Sequence, residues 1–426
     1  MTRVAFVGMT HLGLVSATGV CSAGFDMLCV DQDMALIARL RAGDLPVLEP
    51  GLDDMLSGNG DRQRFSAALE DLGDRDVVYI APDVPTDDRG QSDLSGIHDL
   101  IARVTPHLSG TAILVILCQV PPGFTRKIAF DADRLYYQVE TLIFGRAVER
   151  ATEPERYIVG CADPANPLPE HFAEVLGAFG CPVLPMRYES AELAKISINM
   201  CLVSSVSVAN TMAELCAEIG ADWSEIVPAL KLDKRIGQFS YLKPGLGIAG
   251  GNLERDLATV LDYSGQHGTH ADVVRAWLDN SAHNRTWAAR CLRGLIDAGA
   301  RDPLVGVWGL AYKENTHSTK NSPSLATLAD FPDLRLQVHD PAVADEDFSH
   351  PGATRYRQAL QAAEGVDILM ILTPWPEYRE RDLKELAGVM AGSVVIDPYR
   401  MFDPRDIAEA GLSGHTLGVA PLDATD

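Results

Sequence analysis

Close to its N-terminus the chain passes from a short apolar strand pattern, Arg3–Val7, through Gly8-Met9-Thr10-His11-Leu12-Gly13 into a helical stretch, Leu14–Ala23. A second apolar run, Met27–Val30, ends in Asp31. A glycine-bracketed strand-to-helix turn, followed by an acid about 20 residues further on, is the pattern of a dinucleotide seat. The turn presents helix N-terminal N–H groups to a pyrophosphate, and the carboxylate holds the ribose hydroxyls. An acid at Asp31 favours NAD over NADP, because a 2′-phosphate there meets like charge. Thr10 stands at the second glycine of the pattern. Its Cβ pushes a phosphate outward, or its hydroxyl donates to one. Taken alone, the turn also fits a doubly wound domain that binds no dinucleotide.

The alternation continues. Val77–Ala81 and Ile113–Leu117 repeat the order of apolar strand, polar turn and helix, which predicts a parallel sheet covered on both faces. From Glu189 to about Ile219 the sequence reads as one long helix, with Leu193, Ile196, Met200, Val203, Val206 and Met212 on an apolar stripe. Gly220 closes it. The Gly/Pro-rich loop Lys243-Pro244-Gly245-Leu246-Gly247 follows, then more helix to about Asp297. Strand signals return at Leu304–Trp308, Leu336–Val338, Ile368–Ile371 and Val394–Ile396, a second α/β unit in which no dinucleotide-type turn is evident. The fold class expected is α/β: two doubly wound Rossmann-like domains joined by a long central helix and a helical linker domain.

With 426 residues the chain exceeds one ordinary core. Its formal charge of −23 repels phosphate backbones, so nucleic acid is excluded as a general partner and an anionic ligand needs a local positive pocket. No signal-peptide layout and no uninterrupted apolar run of membrane-spanning length are evident, which sets cytoplasm as the expectation. The eight cysteines show no metal-ligand spacing, and most lie in apolar stretches, as reduced buried thiols do.

Several stretches, in order over nearly the whole chain, resemble the UDP-glucose/GDP-mannose dehydrogenase family. Pro46-Val47-Leu48-Glu49-Pro50-Gly51-Leu52 is similar to its P-x-x-E-P-G-L stretch, Gly90-Gln91-Ser92-Asp93-Leu94-Ser95 to its G-x-x-D-L-S, and Val120-Pro121-Pro122-Gly123 to its V-P-x-G turn. Glu192-Leu193-Ala194-Lys195 with Asn199 resembles its E-L-x-K-x-x-x-N helix. Leu232–Gly237, Gly247–Asp256, Gly309–Lys313 and Ser322-Pro323 resemble its substrate loop, nucleophile loop and third-domain entry. The resemblance implies an NAD-binding Rossmann domain over 1–188, a central helical and dimerisation domain over 189–300, and a C-terminal nucleotide-sugar-binding domain over 301–426. It also implies two-step oxidation of a sugar C6 alcohol, through an aldehyde held on cysteine, in a homodimer.

Residue by residue, the resemblance places the cofactor on Gly8, Thr10, His11, Leu12, Gly13, Asp31, Val84 and Lys320. It places the nucleotide sugar on Arg235, Tyr241, Lys243, Gly247, Lys313, Tyr399 and Arg400, with Arg235 reaching a neighbouring subunit. Lys195 and Asn199, four apart on one helical face, meet the developing alkoxide; Asp256 assists the base; Glu140 orients water or acts as base in the hydrolytic half. Without that context Lys195 also fits a snorkelling surface residue, and Lys243 and Lys320 fit solvated loop cations. Asn252 stands where the family has its cysteine, and Gln119 where it has a threonine near the reacting water. An amide nitrogen is not nucleophilic, so no thiohemiacetal forms on it. Three readings stay open: an oxidoreductase with altered aldehyde-to-acid chemistry, a redox-neutral epimerase that retains NAD, and a silent nucleotide-sugar binder.

Overall fold

The computed structural model describes residues 2–423 apart from 86, 88–91 and 301. Gly90 and Gln91 of the expected G-x-x-D-L-S stretch lie outside the described residues. Two compact units divide the chain, Met1–Ile198 and Asn199–Asp426.

The first unit is built on an eight-stranded sheet in the order β3-β2-β1-β4-β5-β6-β7-β8. Its strands are β1 (Arg3–Val7), β2 (Asp26–Val30), β3 (Gln63–Ser66), β4 (Val77–Ile80), β5 (Ile113–Ile116), β6 (Leu135–Gln138), β7 (Tyr157–Cys161) and β8 (Val183–Arg187). Every pair is parallel except β6 with β7. All residues of β4 and β5 are buried, which is why both read as unbroken apolar runs in the sequence. Among the strands that sequence patterning does not pick out, β3 is polar, with Gln63 and Arg64. Chain order reverses between β1 and β4, and that switch point is where doubly wound sheets open a crevice.

A 32-residue helix, Tyr188–Ile219, leads into the second unit. Its best 18-residue window has a mean hydropathy of 1.4, so by length and composition it could cross a membrane. Counting only uninterrupted apolar runs had hidden this. Its polar residues nevertheless have protein partners: Glu192, Asn199 and Asn210 are buried and hydrogen-bonded. The expected apolar stripe splits. Ile196 and Val203 are buried, whereas Leu193 and Met212 are exposed along with Val208, Leu215 and Ile219.

Beyond Gly220 comes a helix that sequence patterning does not mark, Trp223–Leu232, capped by the Asp222 side chain. Helices Asn252–His267, Asp272–Arg285 and Trp287–Asp297 follow. The unit closes with a six-stranded parallel sheet ordered β11-β10-β9-β12-β13-β14. These strands are β9 (Leu304–Trp308), β10 (Arg335–His339), β11 (Ala353–Arg355), β12 (Ile368–Ile371), β13 (Val394–Asp397) and β14 (Ser413–Thr416). Counted from β9, the order is again 3-2-1-4-5-6, the doubly wound arrangement expected.

Candidate functional site

Gly8 follows β1 at φ +98, and a Cβ on it would lie 2.9 Å from the Pro82 nitrogen. Gly13 admits no side chain either, since its Cβ would stand 1.8 Å from the Gly8 carbonyl oxygen. Both glycines are therefore required by close backbone approach at the start of helix α1 (His11–Ser22). The Met9 N–H donates to Asp31 Oδ2 at 2.8 Å and the Asp33 N–H to Asp31 Oδ1 at 3.0 Å, fixing the acid against the turn. Gly8, Thr10 and Asp31 line a cleft of about 390 Å³ outside the carboxyl ends of β1 and β4. The glycine turn and the Asp31 carboxylate on its wall are the groups that a dinucleotide's pyrophosphate and ribose require.

Two residues of the turn are otherwise engaged. The Thr10 hydroxyl accepts from the Asp83 N–H at 2.8 Å. The His11 side chain is buried, 3.0 Å from Glu49 Oε2 and stacked on Phe144, so only its backbone faces the turn. Glu49 also accepts from the Gly145 and Ala147 N–H groups, which ties the P-x-x-E-P-G-L stretch to the loop after β6. Leu12 is buried on α1, and Val84 is half-buried in the segment after β4.

Still within the first unit, Lys195 Nζ stands 3.2 Å from Glu140 Oε2, both side chains largely buried. The structure thus brings together an ammonium and a carboxylate 55 residues apart in sequence. The other Glu140 oxygen accepts from the Leu142 N–H. Sequence reasoning quoted Glu192 without giving it a role. Its fully buried carboxylate accepts from the N–H groups of Gly123 (2.5 Å) and Thr125 (2.8 Å), pinning the V-P-x-G turn to the helix that carries Lys195. Desolvation raises the Glu192 carboxyl pKa, although those donors favour its ionised form. Gln119 is half-buried after β5.

In the second unit Asn199 Nδ2 donates to Asp256 Oδ2 at 2.6 Å, both residues buried. Arg255 Nε is 3.6 Å from the other Asp256 oxygen. Asn252 is exposed at the first position of its helix, after Gly250 (φ +85) and Gly251. Gly247 (φ +78) has no room for a Cβ, which would meet the Ser281 carbonyl oxygen at 2.5 Å. Ser281 Oγ in turn accepts from the Ile248 N–H. Asn321 and Arg285 both donate to Glu254, which anchors the loop ahead of Asp256.

Four of the expected nucleotide-sugar contacts come together. Tyr241, Lys243, Tyr399 and Arg400 line a cavity of about 490 Å³ with Trp223 and Val227. Arg400 holds a left-handed backbone, φ +51, unusual for a non-glycine residue. Its guanidinium forks onto Asp222 at 2.7 and 3.0 Å. Desolvation lowers the Lys243 ammonium below the ordinary lysine range, although much of the residue is exposed. Asp397, fully buried beneath the turn, accepts from the Tyr399 and Phe402 N–H groups, and burial raises its pKa to about 6. Arg235 is 88 % exposed and pairs with Asp233. Lys313 lies 5.7 Å from the Tyr312 ring centroid, and Lys320 is half-buried in the loop before the helix Pro323–Ala329. Of the eight free cysteines five are buried, two are half-buried and Cys201 is exposed.

The second sheet carries a related turn that its sequence does not mark. Gly309 follows β9 at φ +102, and Asp340 follows β10, accepting from the Leu310 and Ala311 N–H groups at 2.7 and 3.0 Å. The pair repeats the geometry of Gly8 and Asp31. Its signal was present as glycine after one strand and acid after the next, but without further glycines to mark it.

A doubly wound unit with a glycine turn and an acid after β2 is the frame of a dinucleotide-binding domain. Comparisons with known proteins narrow this. Residues 2–176, 189–282 and 306–404 match the NAD binding, central and UDP binding domains of the UDP-glucose/GDP-mannose dehydrogenase family. A UDP-glucose 6-dehydrogenase of Pseudomonas aeruginosa is 29% identical, over 98% of this chain and 97% of that one. One from Bacillus subtilis is 27% identical over 100% and 95%. The solved UDP-glucose dehydrogenase of Pyrobaculum islandicum superposes with a TM-score of 0.85 at 26% identity, covering 99% of this chain and 98% of its own. The chain belongs to the UDP-glucose/GDP-mannose dehydrogenase family, and is an NAD-dependent oxidoreductase of the nucleotide-sugar dehydrogenase type acting on CH–OH.

Proposed function

We propose that the chain oxidises a UDP-sugar with NAD, as a UDP-glucose 6-dehydrogenase does, and that its aldehyde-to-acid half is altered because Asn252 takes the place of the nucleophilic cysteine. The observation that carries this is the retained polar machinery along the central helix: Lys195 paired with Glu140, and four residues on, Asn199 bonded to Asp256. NAD supplies the hydride acceptor. As the alcohol proton is taken, negative charge grows on the sugar oxygen, and collapse of that charge to a carbonyl expels the hydride. The Lys195 ammonium and Asn199 amide donate to that oxygen, and donors already oriented stabilise charge without reorganisation. Asp256, held by Asn199, takes up the alcohol proton directly or through water. Glu140 orients water toward the resulting carbonyl carbon.

A thiolate would capture that carbonyl and keep it in place for the second oxidation. Asn252 has no lone pair nucleophilic enough to do so. Acid then forms only through the hydrated aldehyde, which is slower, so carbonyl product accumulates. The UDP-binding match and the cavity around Tyr241, Lys243, Tyr399 and Arg400 support the nucleotide assignment. The exposed Leu232, Ile236 and Phe239 beside Arg235, with the exposed flank of the central helix, support a homodimer.

Lys195→Ala tests the reading. Turnover on UDP-sugars should fall about a thousandfold, the scale of losing an oriented donor to the reacting oxygen, while NAD binding by calorimetry stays unchanged. Unimpaired turnover would mean that the helix does not carry the chemistry.

A further inference from the structure

The seat for the NAD pyrophosphate is already faced by an anion of the protein's own. Pro82-Asp83-Val84-Pro85 follows β4, and Pro82 packs so tightly on Gly8 that no Cβ fits between them. Asp83 is therefore held over the turn. Its N–H donates to Thr10 Oγ1 at 2.8 Å, and its Oδ2 stands 3.5 Å from the Leu12 N–H. That separation is long for a hydrogen bond but short for a charge. Leu12 belongs to the first turn of α1, whose free N–H groups and positive dipole end would serve a phosphate. Among the described residues lining the cleft, Asp31, Asp83 and Asp93 face a single cation, Arg103. The Thr10 hydroxyl oxygen accepts from the Asp83 N–H, which fixes the side chain against the loop after β4.

We propose that Asp83 determines NAD affinity as a built-in occupant of the phosphate seat. In the cofactor-free protein its carboxylate supplies the negative charge that the N-terminus of α1 favours. When the dinucleotide enters, Asp83 must turn away from Leu12, and its charge opposes the incoming pyrophosphate. Thr10 acts with it: the side chain at the second glycine position is a post that fixes the Asp83 backbone. The two departures from an open phosphate turn are thus one device. The inference rests on the cleft being the NAD seat.

The test compares wild type with Asp83→Asn in the full chain, with NAD and adenosine as probes in calorimetry. Asn keeps the size and removes the charge. NAD should bind about tenfold more tightly to the variant, the scale of one like charge near a helix terminus, and adenosine, which carries no phosphate, should bind equally to both. A thermal melt supplies a second readout. The variant should melt lower than wild type without NAD, yet show the larger rise when NAD is added. Should Asp83→Asn fold poorly, Asp83→Ser serves the same comparison. Equal NAD affinities, or a gain matched by adenosine, would overturn the role of Asp83. Failure of both proteins to bind NAD would overturn the seat itself, and the proposal with it.

Discussion

The two sheets of this protein begin with the same device and put it to different ends. After β1, Gly8 turns the chain and the Met9 N–H bonds to Asp31; after β9, Gly309 turns it and the Leu310 and Ala311 N–H groups bond to Asp340. Surroundings separate them. Asp31 is half-buried on the wall of an open cleft. Asp340 is buried, and it also accepts from the Ala342 and Val343 N–H groups and from the Trp375 indole. With its acceptor sites filled from inside, the second acid has no capacity left for a ribose. We propose that one turn serves a ligand and that the other is a structural clasp. The glycine-and-acid pattern therefore specifies a backbone geometry, and only the groups packed around the acid decide whether a ligand can use it.

Substituting the acids should separate these roles most widely. Asp340→Ala strands several buried N–H donors, so stability in chemical denaturation should drop by about 4 kcal/mol with little change in NAD affinity. Asp31→Ala should do the reverse: NAD binding by calorimetry weakens roughly tenfold and stability barely moves. Equal stability losses would erase the distinction. The glycines sharpen it on a smaller scale. A Cβ on Gly309 would lie 2.4 Å from Thr373 Cβ, whereas one on Gly8 would meet Pro82 at 2.9 Å. Gly309→Ala should therefore cost about 3 kcal/mol and Gly8→Ala about 2 kcal/mol, read from the same denaturation curves.

Much of this architecture was legible in the residues. β1, β2, β4 and β5 announce themselves as apolar runs because helices cover both faces of a parallel sheet, and the central helix is legible from its length. What sequence could not give was partnership. Resemblance gave Glu140 and Lys195 separate roles, but their pairing was not foreseen, since no periodicity links residues that meet through a fold. Glu192 stood in a quoted motif, but its bonds to Gly123 and Thr125 depend on where that turn lands. Asp83 looked like one more acid among 59 acidic residues until the loop after β4 set it against α1. The helix Trp223–Leu232 was missed because Pro228 lies inside it, and proline ordinarily argues against helix.

The claim that hydride removal survives while the thiol-dependent half does not is tested most directly by counting. With wild-type protein, NAD and UDP-glucose, NADH formed per sugar consumed should fall below two, and hydroxylamine should trap a carbonyl product visible by mass spectrometry. Two NADH per sugar with no trappable carbonyl would contradict the account, as would the absence of any NADH.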